Sequence, residues 1–331
     1  MNGMKYAPII IPTLCRYEHF KNCVESLAQC VGADQTELFI GLDYPTKDAH
    51  WEGYKKINAY IETITGFKKV HIFRRAQNYG AVRNSAELRQ TVGKFFDRYI
   101  TTEDDNEFSP NFLLYMNEGL ERFKDNPKVF CICGYAYPYK FCGEIPNYPF
   151  NVYPLHGYCA WGVGYWVEKR EKAETFLNSQ MAYRLIHSWR MVFRAFRHNQ
   201  YITIHRLIFR HQQAYGDLMV RLYCAFNDYY CIFPTKSKVR NKGFDGSGTN
   251  CRKTSVYEDQ LIDEDRSFDY PDIEIKDYLP IKKVYDLLYA GTFWKRIYCV
   301  IEYCMFRLFG FNSRSKWMLK IHRTVLKCLR K

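Results

Sequence analysis

Residues 99–110 read YITTEDDNEFSP and place three acids, Glu103, Asp104 and Asp105, directly behind a short apolar run. Neighbouring carboxylates repel one another, and each prefers its own water. A divalent cation, or a nucleotide that carries one, would remove this penalty. A solvated turn in front of a helix that starts near Ser109 is the alternative, because acids also favour the positive end of a helix. The chain on either side of the motif has to distinguish the two.

The chain before this motif alternates between apolar runs and helical patterns. Four runs predict strands: residues 7–13, which are typical of a buried strand, and residues 37–43, 68–74 and 95–100. One-sided apolar spacing predicts helices between them, one along Phe20, Cys23, Val24 and Leu27 and one along Ala81, Ser85, Leu88, Val92 and Phe95. This alternation predicts an α/β fold, a doubly wound mixed sheet with flanking helices.

Ligands of such sheets bind beyond the carboxyl ends of the strands. Thr13, Asp43 and the turn near Asn78 follow the first three predicted strands, and the acids 103–105 follow the fourth. We therefore expect these residues to line one crevice.

Positive charge is concentrated at one end of the chain. Residues 282–331 contain twelve Lys or Arg against two acids, so this segment supplies +10 of the formal net charge of +13. The preceding stretch is acidic with little apolar periodicity, as expected of a linker or a surface strap. The sequence thus predicts a main domain over residues 1–250, an acidic linker over residues 251–281 and a basic tail over residues 282–331.

The tail mixes its basic residues with Trp, Tyr, Phe and Leu. Charges interrupt its apolar runs too often for a spanning helix, which needs about 20 mainly apolar residues. This composition predicts amphipathic helices on an anionic membrane surface, with a packed helical hairpin as the alternative. Nucleic acid would also attract the charge, but no nucleic-acid-binding module surrounds it, so no such partner is expected.

The cysteines and the first residues indicate a compartment. Thirteen cysteines include no CxxC pair, and the opening MNGMKYAPIIIPT does not read as a signal peptide. Free thiols in a reducing cytosol are therefore expected. With the tail, this predicts a cytoplasmic protein held peripherally at the inner face of the cell membrane.

Two later segments allow two interpretations each. Residues 157–166 alternate glycine with aromatics, which suits either a sugar or base platform or a tightly packed turn. Arg190, Arg194 and Arg197 share one face of a predicted helix, either solvated or holding a phosphate-bearing acceptor.

Two stretches resemble the nucleotide-sugar glycosyltransferases of the GT-A fold. Residues 102–135 (TEDDNEFSPNFLLYMNEGLERFKDNPKVFCICGY) resemble the acidic, DxD-type metal motif with its following helix and strand. They are similar to the EDD segment of the N-acetylglucosaminyltransferase that begins complex N-glycan branching, and to bacterial sugar transferases of capsule and lipopolysaccharide synthesis. Residues 75–84 (RAQNYGAVRN) are similar to the Asn-x-Gly…Arg-Asn turn that many members place beside the donor.

The resemblance covers most of residues 5–250 and implies a GT-A fold. Within it, residues 1–106 would form the nucleotide-binding half and residues 107–250 the acceptor half. The resemblance also implies a Mn²⁺ or Mg²⁺ ion that bridges the two donor phosphates. Asp105, as the last acid of the motif, would bind this ion, and Glu103 and Asp104 would face the ribose or orient the loop.

Further roles follow from the same resemblance. Thr13 and Asp43 would contact the base and ribose, Asn78 would lie in the turn beside the donor, and Arg83 would contact the diphosphate. A strand-end acid that caps the next turn is the alternative for Asp43. Asp217 would be the catalytic base, with a plain helix N-cap as its alternative.

One position departs from the family pattern. Some members carry a metal-binding His in a late loop, where this chain has Asn250. A second protein ligand for the metal is therefore not expected from this position.

These observations predict a metal-dependent, inverting glycosyltransferase that moves a hexosyl or N-acetylhexosaminyl group. The donor would be a nucleotide-diphosphate sugar, with UDP favoured, and the acceptor a glycan or lipid-linked sugar in cell-surface polysaccharide synthesis. A sugar nucleotidyltransferase is an alternative, but it requires a basic glycine-rich signature after the first strand, and PTLCRYEHF (residues 12–20) lacks one. A membrane-surface scaffold that binds nucleotide without catalysis is a second alternative.

Overall fold

The computed structural model describes residues 5–137, 148–209, 216–248, 253–254, 257 and 260–310. Its strands are β1 (Ile9–Thr13), β2 (Glu37–Leu42), β3 (Lys69–Arg74), β4 (Arg98–Thr101), β5 (Asn106–Phe108), β6 (Val129–Cys133), β7 (Val152–Leu155), β8 (Val163–Trp166), β9 (Tyr230–Pro234) and β10 (Val239–Asn241). Its helices are α1 (Tyr17–Ala28), α2 (Asp48–Tyr60), α3 (Gly80–Gly93), α4 (Phe112–Arg122), α5 (Val167–Glu174), α6 (Ser179–Ile186), α7 (Trp189–Arg197), α8 (Tyr201–Phe209), α9 (Gly216–Asn227), α10 (Leu279–Tyr289) and α11 (Phe293–Phe309).

Eight strands form one mixed sheet in the order β3-β2-β1-β4-β8-β6-β9-β7. The first four are parallel, with Ile9 paired to Leu38 and Ile9 also paired to Ile100. β8 and β7 run antiparallel to their neighbours. The α/β class with a mixed sheet and flanking helices is thus confirmed, and the carboxyl ends of β1, β2 and β4 lie at one edge.

A separate two-stranded ribbon carries the end of the acidic motif. β5 pairs antiparallel with β10, with Asn106 opposite Asn241. Because β5 begins one residue after Asp105, this pairing fixes the last acid against residues that are more than 130 positions away in the chain.

Apolar side chains cover both faces of the large sheet. In β1, Ile9 and Ile11 join the core under α1 and α4, and Ile10 joins the core under α3. A strand that is buried on both faces needs an unbroken apolar run rather than an alternating one. That requirement explains why the first strand was recognisable from its sequence.

The predicted apolar face is correct for α1 and only partly correct for α3. The four predicted residues of α1 are all buried. For α3 the prediction was wrong at both ends, because Ala81 is exposed and Phe95 is 75% exposed. Asn84 is buried instead: it donates to the Gly41 carbonyl at 2.8 Å, and a Cβ at Gly41 would lie 2.6 Å from Asn84 Oδ1.

The acidic segment, predicted as a linker, packs along α4. Within its described part, Phe268 is buried and Tyr270 stacks on Tyr115 at 5.5 Å between ring centroids. The buried Lys238 ammonium pairs with Asp263. We call residues 260–277 the strap. Directly after it, Ile281, Tyr285 and Tyr289 of α10 enter the core beside the sheet.

A helical layer completes the described structure. Side chains of α6, α7, α8, α9 and α11 share one apolar cluster. Among the helices described, none combines the length and the hydropathy of a membrane span.

Candidate functional site

Strand ends bring the predicted residues together at the edge formed by β1, β2 and β4. The Thr13 hydroxyl donates to Asp104 Oδ2 at 2.8 Å. The Asp43 backbone N–H donates to the Thr13 carbonyl at 2.9 Å. Thr13, Asp43 and Asp104 are each less than 8% exposed. The predicted residues at these strand ends therefore lie together, and we call the region beyond the strand ends the crevice.

Arg16, in the turn between β1 and α1, lies between the last two acids of the motif. Its Nη1 is 2.8 Å from Asp105 Oδ2, and its Nη2 pairs with Asp104 Oδ1. Burial lowers the pKa of Arg16, but the charges of Asp104 and Asp105 outweigh it and raise the pKa overall. At Asp104, burial outweighs the guanidinium and raises the pKa of the carboxyl. Sequence reasoning missed Arg16, although a basic residue three positions after Thr13 was a usable signal.

Asp105 is held by β10 and the turn that follows it. The Asn241 amide donates to Asp105 Oδ1 at 3.0 Å, and the Lys242 backbone N–H donates to the Asp105 carbonyl at 2.8 Å. A Cβ at Gly243 would overlap Asp105 Oδ2, so only glycine fits this approach. Asp105 Oδ1 accepts from the Asn241 amide and Oδ2 pairs with the Arg16 guanidinium, and each carboxylate oxygen keeps a lone pair for a further ligand.

Glu103 lies exposed on the floor of the crevice. Partial removal from water, followed by the negative charges of Asp105, Asp217 and Asp104, raises the pKa of Glu103 to about 8. The negative charge of Asp217, a residue of the far half of the chain, reaches Glu103, so the two carboxylates lie within electrostatic range of each other.

Asp217 is the second residue of α9 and is partly exposed. Burial raises the pKa of its carboxyl, and the charges of Arg221 and Arg206 oppose the rise. None of the described residues forms an ion pair with Asp217 or Glu103. A carboxylate with a raised pKa and open access accepts a proton more readily than an ordinary aspartate.

Asp43 organises the turn before α3. Its Oδ1 accepts from the backbone N–H groups of Tyr44 at 2.9 Å and Tyr79 at 2.7 Å, and its Oδ2 accepts from the Gly80 N–H at 2.8 Å. The Asn78 amide approaches the same oxygen at 3.4 Å. These hydrogen bonds agree with the alternative interpretation of Asp43 as a strand-end acid that caps the next turn. A ligand that contacts the Asp43 carboxylate would have to replace one of these hydrogen bonds.

Arg83 lies on the exposed side of α3. Its Nε donates to Glu87 at 3.0 Å, and its guanidinium stacks on the Tyr79 ring at 4.0 Å. Its contact with a diphosphate remains a prediction from the resemblance.

A loop after β10 forms the outer wall of the crevice. His19 Nε2 lies 2.9 Å from Asp245 Oδ2, which ties the loop to α1. Phe244 packs against Trp161 at 5.7 Å and against Tyr257 at 4.3 Å between ring centroids. Trp161 brings the glycine-aromatic segment to this wall. Asn250 lies outside the described residues.

Three thiols form a second group of candidate ligands within the core. The Sγ atoms of Cys131, Cys133 and Cys231 lie within 4.8 Å of one another. Burial raises the pKa of all three thiols, so they are protonated and uncharged at neutral pH. They therefore fill the apolar core under α9 as small hydrophobic side chains.

Comparisons with known proteins give no match by sequence. No protein-family model matches the chain. No curated protein matches it either.

Solved structures similar to the chain are glycosyltransferases. They include TarS of S. aureus, with a TM-score of 0.33 and 11% identity over 51% of this chain and 30% of that chain. A mannosyltransferase of Pyrobaculum calidifontis in complex with GDP-Man and Mn²⁺ has a TM-score of 0.38 and 12% identity, over 67% of this chain and 69% of that chain. GalNAc-T7 with UDP, GalNAc and Mn²⁺ has a TM-score of 0.46 and 10% identity, over 96% of this chain and 55% of that chain.

The chain spans 30% of TarS and 55% of GalNAc-T7. All of these TM-scores are below 0.5, so no residue of the crevice is assigned from these structures.

Proposed function

We propose that the chain is a metal-dependent glycosyltransferase whose nucleotide-sugar donor binds in the crevice beyond β1, β2 and β4. One observation carries the proposal: Asp104 and Asp105 share the single guanidinium of Arg16, while Glu103 and Asp217 add negative charge within electrostatic range. The raised pKa of Glu103 reports the resulting shortage of positive charge. A divalent cation relieves that shortage and at the same time attracts a diphosphate.

The donor set fits Mn²⁺ or Mg²⁺. Both ions prefer carboxylate oxygen, and Mg²⁺ usually takes only one or two carboxylates with substrate phosphates completing its shell. Asp105 would hold the ion, because it is anchored by Asn241 and retains free lone pairs. When bound, the ion would neutralise the diphosphate as it leaves.

Arg16 would serve the phosphates. With a cation on Asp105, the guanidinium no longer has to compensate both carboxylates, and its planar donors suit phosphate oxygens. Thr13 would keep Asp104 in place through its hydroxyl, and Asp43 would hold the turn that carries Asn78.

Asp217 would act as the base of a single displacement with inversion. The acceptor hydroxyl oxygen forms its bond to the anomeric carbon, the bond from that carbon to the phosphate oxygen breaks, and the hydroxyl proton goes to the Asp217 carboxylate. Burial, which raises the pKa of Asp217, strengthens it for this role. Its place within electrostatic range of Glu103 supports the assignment.

The finer identity of the substrates is part of the proposal. We infer UDP as the favoured nucleotide and a glycan or lipid-linked sugar of cell-surface polysaccharide synthesis as the acceptor. The resemblance of the motif to capsule and lipopolysaccharide transferases supports this choice.

Titration calorimetry with UDP, GDP and TDP, each with and without Mn²⁺, tests the donor site. We expect Mn²⁺-dependent binding that Asp105→Ala weakens about 100-fold, and that Asp272→Ala, an exposed acid on the strap, leaves unchanged. Absence of binding for every nucleotide under every metal condition would overturn the proposal.

A second variant separates binding from catalysis. Asp217→Asn should keep Mn²⁺-dependent UDP binding and lose sugar transfer to an acceptor, as measured by UDP release. Full transfer by this variant would remove Asp217 from the mechanism.

A further inference from the structure

An apolar stripe runs along the outward side of α11. Trp294, Ile301 and Leu308 are spaced seven residues apart, which is close to two turns of helix, and are 59%, 47% and 66% exposed. Three partly buried residues flank the stripe on the same side of the helix: Ile297, Cys304 and Met305. No charged residue lies on this side of the helix over its 17 residues, or about 25 Å.

The charges of α11 point elsewhere. Glu302 is fully buried and pairs with His205 Nδ1. Arg307 donates to the His187 carbonyl, and Arg296 donates to the Gly291 carbonyl at 3.1 Å. Lys295 is partly exposed beside the stripe and lies over the Tyr298 ring at 4.8 Å. The stripe side of α11 therefore presents apolar side chains to water, whereas an ordinary surface helix presents its polar side.

An exposed aromatic pair begins the same stripe. Phe293 and Trp294 are 68% and 59% exposed, and their rings meet edge to face at 5.4 Å. Thr292 caps the helix by accepting from the Lys295 N–H at 3.4 Å, so the rings are fixed at the first turn. Aromatic rings with a neighbouring lysine are enriched where a protein meets the boundary between lipid and water.

Charge complementarity selects the occupant of this surface. The 21 residues that follow α11 and its Gly310 contain seven Lys or Arg and no Asp or Glu. A second copy of the chain would bring the same positive charge and repel, whereas anionic lipid would attract it. An apolar stripe with adjacent basic charge is the combination that places a helix in the plane of an anionic membrane.

We propose that the outward side of α11 inserts into the interfacial layer of an anionic phospholipid membrane, with the helix lying along the surface. The net positive charge of residues 282–331 would attract the chain to that surface. This inference narrows the predicted membrane contact of residues 282–331 to one stripe, and it does not depend on the transferase chemistry. For a transferase, it would bring the crevice to acceptors anchored in lipid.

Vesicle flotation of the full-length chain tests the proposal. The probes are vesicles of phosphatidylcholine alone and of phosphatidylcholine mixed with phosphatidylglycerol. We expect binding to the anionic vesicles that falls as salt is raised, and Ile301→Glu/Leu308→Glu should weaken it about tenfold or more. The matched control, Phe95→Glu/Leu261→Glu, changes two apolar residues that are 75% and 84% exposed elsewhere, and it should bind like the parent.

Two further measurements keep the result decisive. Circular dichroism and Mn²⁺-dependent UDP binding of each variant establish that the fold and crevice are intact, so that a failed transferase is separated from a failed membrane contact. Equal flotation of the parent and the α11 variant would overturn the assignment. Failure of the parent protein to float would also overturn the assignment. If the parent is then a dimer and the α11 variant is not, the stripe contacts a second copy of the chain. If the variant only loses stability, the stripe contacts the chain's own last residues.

Discussion

Arg16 is the residue that supplies positive charge to the last two acids of the motif. It places one positive charge between two buried carboxylates, and neither acid has another cation at ion-pair distance among the described residues. A guanidinium that shares two carboxylates compensates them only in part, which agrees with the raised pKa of Asp104. The same position is where a divalent ion would contribute most.

The first prediction concerns Arg16→Ala. Removing the guanidinium leaves Asp104 and Asp105 uncompensated, and we expect the free energy of unfolding to fall by about 3 kcal/mol. Mn²⁺ should restore part of the loss because it supplies the missing charge. Urea unfolding with and without Mn²⁺ measures both effects.

Arg74→Ala is the matched control for this experiment. It removes an exposed ion pair with Glu62 and should cost less than about 1 kcal/mol. If Mn²⁺ stabilises both variants equally, the ion does not bind at the acids.

Glu103 supplies the second prediction, on pH. Its pKa in the folded protein is about 8, above the 4.5 of the free side chain. Between these values the folded protein keeps a proton that the unfolded chain has lost, so the stability contributed by Glu103 falls as the pH rises through this window. Glu103→Gln removes that loss, because an amide does not ionise.

We therefore expect Glu103→Gln to match the parent near pH 4.5 and to exceed its stability near pH 8 in the absence of metal. Urea unfolding of both proteins across this range is the measurement. Parallel curves for the two proteins would mean that Glu103 is not crowded by the other acids.

At the scale of elements, the ribbon of β5 and β10 presents Asp105. Gly243 leaves β10 by passing directly over the carboxylate, and Asn241 binds it from the strand. The chain turns there without a side chain because none would fit. The position of the acid is thus set by a strand from the other end of the domain.

Gly243→Ala tests this geometry. Its methyl group would push the Asp105 carboxylate aside, and we expect Mn²⁺-dependent UDP affinity to fall about tenfold or more. Gly248→Ala is the control, because a Cβ there meets no atom closer than 3.4 Å. Calorimetry that finds the two variants alike would show that the carboxylate is not the ligand.

At the scale of the whole molecule, the strap links the ribbon to the body of the domain. Lys238 precedes β10, is buried, and pairs with Asp263 of the strap, which also accepts from the Asn111 amide at 3.1 Å. Burial lowers the pKa of Lys238, with Asp263 acting against the change. A buried pair of this kind ties its two segments into one cooperative unit.

Lys238→Met should therefore lower the free energy of unfolding by about 3–5 kcal/mol, because Asp263 would be left buried without its partner. The double variant Lys238→Met/Asp263→Asn should recover most of this loss. Urea unfolding followed by fluorescence measures both. Two separate transitions in the parent protein would show instead that the strap unfolds on its own.

Much of the fold could be predicted from local pattern, and little of the site could. The strands through β4 and the face of α1 follow from apolar periodicity, which each segment carries within itself. The α3 face failed at Phe95, because burial there depends on whether another element covers the residue. Arg16 was missed for a similar reason, since its partners lie 88 residues away.

The sequence by itself determined the α/β architecture, the acidic motif at a strand end and the basic end of the chain. Only the tertiary structure decided that Asp217 comes within electrostatic range of Glu103, that Asp43 caps a turn and that Glu302 of α11 is buried beside His205. The physical reason is the sequence separation of the interacting residues, because periodicity, turns and charge runs are properties of residues that are neighbours in the sequence. A site is made by contacts between distant segments, which packing of the whole chain selects.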